Sequence, residues 1–156
     1  MVRPSRLGGT DRNSCHRWGV ADSFQESLVN IALWIVAGLL AIAYVAGGGG
    51  KVVLTKEKLI ALGPSAEWAE EFSTGGVKAI GALEVLAAVG LILPAVLDIA
   101  PVLVPLAASG LVLIMIGATI TRIRRREYTL MALDLVYLAL AAFVAWGRFG
   151  PYSFTD

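Results

Sequence analysis

Cysteine occurs once in the 156 residues, at Cys15, and histidine once, at His16. A lone cysteine excludes an internal disulfide and a thiolate metal cage within one chain. His16 stands beside it in a polar arm, where the pair reads as solvated side chains. Transmembrane haem needs axial His, Met or Cys ligands and iron–sulfur clusters need several thiolates, so no metal site and no covalently or metal-held cofactor is expected. Nucleotide signatures are missing too: there is no GxGxxG and no GxxxxGK[ST]. The run GGGGK at 47–51 lacks the spacing and the terminal hydroxyl of a phosphate loop. Charge is also scarce, at 16% Asp, Glu, Lys and Arg with a net +1, and gives no reason to expect a nucleic-acid partner. Catalysis by the isolated chain has little support, and no catalytic residue can be named.

Apolar side chains are abundant. They make up 57% of the chain, with a mean hydropathy of +0.74, well above the roughly 45–50% of soluble domains. The charges cluster, leaving apolar tracts long enough for a bilayer core that needs about 20 helical residues. These features predict an all-α membrane protein: an antiparallel, up-down bundle of four transmembrane helices at about 28–48, 75–97, 101–121 and 128–146. A polar arm over 1–27 reads as disordered, and a short polar tail covers 148–156. The first apolar run exceeds a signal-peptide core, lacks a small-residue cleavage site and is followed by three more spans, so it reads as a retained helix.

Local signals shape the connections. Helix 1 is expected to end in its four glycines, which loosen a helix; the alternative is close backbone approach by another helix or a lipid headgroup. Pro94 should weaken helix 2, while Pro101 and Pro105 fall near the start of helix 3, where proline costs little. Between helices 1 and 2, Ser65 is a candidate N-cap for a short interfacial helix carrying Trp68 and Phe72; a charged loop is the alternative.

Four spans bring the ends of helices 1 and 3 beside the starts of helices 2 and 4. Lys51, Lys78, Arg122, Arg124, Arg125 and Arg126 therefore share one membrane side. Glu84 lies six residues beyond Lys78, about 9 Å along the axis, and Asp134 lies six residues into helix 4. A carboxylate facing lipid is disfavoured, so Glu84 should face the bundle, protonated or opposite a base. Lys78 sits some 120° around the same helix, which makes Arg122 or Lys51 the better partner. Asp134 can reach Tyr137 at i+3, and Thr119 and Thr121 add hydroxyls. This cluster of Glu84, Asp134, Lys78, Lys51 and Arg122 is the candidate site. Glu84 is either a group in a half-membrane cavity that contacts a quinone-like headgroup, a proton or a small solute, or a buried clasp that fixes helix register.

Basic residues of the two long connections outnumber those at the other end, so the positive-inside rule places both termini outside. Trp34 and Trp146 then fall at the outer interface as anchors, with Trp68 at the inner one. Small residues, including Gly81, Gly90, Gly110 and Gly117, permit close helix contacts and a homo-oligomer.

The stretches NIALWIVAGLLAIAYVAGGGGKVVLTKEKL, VKAIGALEVLAAVGLILP and TRIRRRE resemble the DoxX-like family of small bacterial integral membrane proteins, over Asn30 to Phe149. Its most specific part is VKAIGALEVL, with Lys78, Gly81 and Glu84. The resemblance implies a four-helix bundle in the bacterial inner membrane. It also implies an accessory subunit for a redox or quinone-linked process, with the bilayer and an oxidoreductase as partners and quinone or lipid contact. A small solute or proton carrier using Glu84, or a membrane scaffold, are the alternatives.

Overall fold

A computed structural model describes residues 12–154, with side chains from Phe24 onward. Among the described residues every regular element is helical: α1 (Arg12–Val53), α2 (Lys56–Ile60), a 3₁₀ helix (Pro64–Glu71), α3 (Thr74–Leu97), α4 (Leu103–Arg125) and α5 (Tyr128–Phe149). Four stretches are long and apolar enough to cross a membrane: Phe24–Val53, Thr74–Leu97, Leu103–Arg125 and Tyr128–Phe149. They form a closed ring in which α1 packs on α3, α3 on α4, α4 on α5, and α5 returns to α1.

The core of this ring is made by Leu33, Leu40, Leu91, Val104, Leu111 and Val144, all essentially inaccessible. Outward positions such as Ile35, Leu39, Ile42, Leu86, Leu113 and Val136 are also apolar and exposed. A helix apolar on every side suits lipid rather than water as its surroundings.

Several boundaries differ from the sequence reading. The arm expected to be disordered is helical from Arg12; residues 1–11 and the side chains of Cys15 and His16 lie outside the described residues. No proline follows Pro4 in the arm, so the apolar span can extend its helix backwards at one hydrogen bond per residue. α1 also runs straight through Gly47–Gly50 to Val53. Backbone groups at membrane depth have no water to bond, which favours the continuing ladder over glycine's weak helix propensity. Pro94 is buried inside α3, and the helix continues to Leu97 before Asp98 caps it in the left-handed conformation at φ 53°. Arg126, at φ 59°, closes α4 in the same way. At the other end, the last turn of α5 takes in Arg148 and Phe149 from the expected tail.

The connection between α1 and α3 is built of capped short helices. The Thr55 hydroxyl accepts from the Lys58 amide and starts α2. Ser65 is not the N-cap: Gly63, at φ 115°, precedes the 3₁₀ helix and Pro64 opens it. Proline needs no N–H at that position, which moves the helix start ahead of Ser65. Ser73 caps α3 through the Gly76 amide at 3.1 Å. Leu59, Ala66, Ala69 and Val77 form a small apolar cluster beneath this connection, so it folds down onto the bundle end as a roof.

Candidate functional site

The site starts from two glycines. A Cβ on Gly81 would lie 2.7 Å from the Gly48 carbonyl oxygen and 2.6 Å from the Lys51 Cβ, and one on Gly48 would lie 2.7 Å from the Gly81 carbonyl. At those separations no side chain fits, so α1 and α3 meet backbone to backbone. The GGGGK run is therefore a helix crossing, and close approach is the reading that holds. Gly90 makes a second close approach, here against the Ala107 side-chain methyl of α4. Gly110 and Gly117, expected to serve helix packing, have nothing within 4 Å of a built Cβ.

One turn along each helix from this crossing lies the first ion pair. Lys51 Nζ is 2.6 Å from both carboxylate oxygens of Glu84. Glu84 is 2% exposed, and Lys51 is half-buried beside the Trp68 ring, 5.4 Å from its centroid. A forked contact of this kind gives a buried carboxylate a counter-charge and offsets part of the cost of taking it out of water.

Arg122 organises the second group. Its guanidinium is 7% exposed and bonds Glu127 through Nη1, while Nη2 donates to the Ser65 carbonyl at 2.7 Å. Its Nε lies 3.5 Å from Asp134 Oδ2. That last contact is a charge pairing only, because Asp134 Oδ2 is buried and has no hydrogen-bond partner among the described residues. Arg125 extends the network to Glu127 at 2.5 Å and to Glu67 and Glu71 on the 3₁₀ helix at 3.3 and 3.4 Å. Burial works to raise the Glu127 pKa, but the hydrogen bonds from Arg125 and Arg122 outweigh it and hold this carboxyl below its ordinary value.

Between the two groups lies a pocket of about 540 Å³. Lys51, Glu84, Arg122 and Asp134 give it a polar wall, while Trp68, Phe72, Leu59, Ile80, Leu113 and Met115 are among its apolar walls. Gly117, free of helix contacts, lines it as well, so its missing side chain contributes space. Leu113 and Gly117 are exposed on the lipid-facing side of α4, so the pocket reaches that surface. Within its roof, Lys56 of α2 donates to the Phe72 carbonyl at the end of the 3₁₀ helix at 2.7 Å, and Arg122 of α4 ties that roof down through the Ser65 carbonyl.

Four of the five residues expected to cluster do so: Glu84, Asp134, Lys51 and Arg122 line one pocket. Lys78 does not; it is exposed on the outer face of α3, as its 120° offset from Glu84 requires. Tyr137 packs edge-on against Tyr44, with ring centroids 5.9 Å apart, and among the described residues no hydrogen bond joins it to Asp134. The Thr119 and Thr121 hydroxyls bond back to the Met115 and Gly117 carbonyls at 2.8 and 3.0 Å, so they serve their own helix. Trp68 differs from an interface anchor: it packs on Phe72 with centroids 5.7 Å apart and covers Lys51. Trp34 meets Phe154 and Arg148 at the opposite end, and Trp146 is exposed beside Phe143.

Glu127, the Ser65 carbonyl and Tyr44 belong to the site's surroundings and escaped the sequence reading, which placed Arg125 only on the same membrane side. Glu127 ends the basic run RIRRRE, where a single acid among arginines is a signal for a local ion pair. Tyr44 is 6% exposed, and its buried hydroxyl has no hydrogen-bond partner among the described residues.

Four antiparallel spans with one charged pocket under a roof at one end define a small multi-pass membrane protein. Residues 35–144 match the DoxX-like family, and the chain belongs to that family. The match lies inside the segment whose motifs carried the resemblance. No curated protein and no solved structure matches the chain.

Proposed function

We propose that this protein is an accessory membrane subunit that holds a lipid-soluble molecule with a polar headgroup, of quinone type, for a redox partner. The observation that carries this reading is the pocket itself: about 540 Å³, mostly apolar walls, and a polar wall on which Asp134 Oδ2 lacks a hydrogen-bond donor. An orphaned buried acceptor is costly unless something donates to it, and a quinol hydroxyl has that donor. Lys51 and Arg122 offer cationic N–H groups to the carbonyl oxygens of the oxidised ring. Trp68 and Phe72 supply faces against which a flat ring packs. The opening toward the lipid-facing side of α4 suits a ligand that arrives through the bilayer with its tail left in the acyl chains.

In this account Glu84 keeps the Lys51 ammonium in place through both carboxylate oxygens, so its role is to position. The basic residues at the pocket end, Lys51, Arg122, Arg124, Arg125 and Arg126, support a cytoplasmic pocket in a bacterial inner membrane with both termini outside. A carrier using Glu84 is less favoured, because Leu40, Leu91, Leu111 and Val144 pack the bundle interior.

The test is purification in mild detergent followed by mass spectrometry of lipid-soluble molecules and of proteins held by the chain. A retained quinone that is lost in Asp134→Asn, together with a co-purifying oxidoreductase, is the expected result. Identical lipid extracts from both proteins would overturn the reading.

A further inference from the structure

The bundle end opposite the pocket holds a second buried cation. Arg148, in the last turn of α5, is 5% exposed. Its Nη1 donates to the Asn30 side-chain oxygen at 2.8 Å and to the Tyr152 carbonyl at 2.9 Å. The guanidinium also lies 3.9 Å from the Phe154 ring centroid and 5.6 Å from that of Trp34. These contacts fold residues 150–154 back over α1. Buried Arg122 has two carboxylates; among the described residues Arg148 is paired with none. The carbonyl end of α5 relieves part of its charge, but a buried guanidinium that meets no carboxylate among the described residues remains costly.

Arg148 lines a cavity of about 370 Å³ whose walls include Asn30, Ser27, Ser153 and Glu26. The planar guanidinium fork suits a phosphate, and Ser27 adds a hydroxyl. Glu26 on the same wall repels a bare anion yet complements an ammonium group. Ile31, Trp146 and Phe149, neighbours of these residues along α1 and α5, are apolar and exposed. Tryptophan and a buried arginine together mark the headgroup depth of a bilayer.

We propose that this cavity holds the headgroup of a zwitterionic phospholipid, its phosphate on Arg148 and Asn30 and its ammonium on Glu26. The site is separate from the quinone-type pocket and stands whether or not that reading holds.

The experiment titrates the full chain in mild detergent with phosphatidylethanolamine, phosphatidylglycerol and inorganic phosphate. Native mass spectrometry reads lipid occupancy, and the thermal midpoint reads phosphate. Phosphatidylethanolamine should bind in preference to phosphatidylglycerol, and Arg148→Gln should weaken it about tenfold or more, the scale of a charge-assisted hydrogen bond. Because Arg148 also ties down the tail, Glu26→Gln at an exposed position is the second variant. It should keep the fold and abolish the preference between the two lipids. Equal binding of both lipids by the unaltered chain, full binding by Arg148→Gln, or protection by inorganic phosphate as strong as by the lipid would each overturn the assignment.

Discussion

Lys51 Nζ sits 2.6 Å from each carboxylate oxygen of Glu84, although the two residues belong to different helices. The pairing depends on Gly48 and Gly81, which let α1 and α3 touch along their backbones. A contact between helix backbones thus sets the position of the most buried acid among the described residues.

Removing one member of this pair leaves the other buried and uncompensated. Lys51→Met and Glu84→Leu should each destabilise the protein by about 3–5 kcal/mol, whereas the double variant, with both charges gone, should recover most of that loss. Thermal unfolding of the three proteins in one detergent checks the non-additivity. Additive losses would mean that the two side chains do not share one interaction.

The glycine contact gives a second expectation, with its own control. Gly81→Val must push against the Gly48 backbone and the Lys51 stem, and should cost about 1–3 kcal/mol or more. Gly110→Ala meets nothing within 4 Å and should leave stability unchanged or slightly raised, since alanine is the better helix former. Equal effects of the two substitutions would contradict the crossing geometry.

The arginine network predicts a pH dependence. Glu127 has a folded pKa below its ordinary value of 4.5, so its contribution is fully present above that value and fades as pH falls through the lower, folded pKa. Stability measured from pH 7 down to pH 3 should therefore fall below about pH 4.5, less steeply in Glu127→Gln than in the unaltered chain. Identical slopes would show that the Arg122 and Arg125 bonds do not form in the folded protein.

Much of this architecture was legible in the sequence because membranes impose simple rules. Apolar length located the spans, and a charge inside one had to face the bundle, which brought Glu84, Lys51, Arg122 and Asp134 together. Helix ends were less legible. Local propensity argued for a break at Gly47–Gly50 and at Pro94, but the backbone's need for internal hydrogen bonds and the α1–α3 contact override it. Lys78 was named with the cluster on its membrane side alone, although its rotation around α3 already argued against it. The Arg125 and Glu127 network depends on how the 3₁₀ helix folds back over α4, a tertiary relationship with no periodic signature. Trp68 was read from its chemistry as an interface anchor, whereas the same fold-back makes it part of the pocket.

Trp68 also supplies the most direct test of the pocket as a headgroup site, because a bound quinone ring would quench its fluorescence. The chain in mild detergent is titrated with a short-chain benzoquinone, alone and against its quinol as competitor, with Trp68→Phe and Asp134→Asn titrated in parallel. Saturable quenching that disappears in Trp68→Phe, and that the quinol competes away less well in Asp134→Asn, is the predicted result. Quenching that rises linearly and equally in all three proteins would contradict a quinone-binding pocket beneath Trp68.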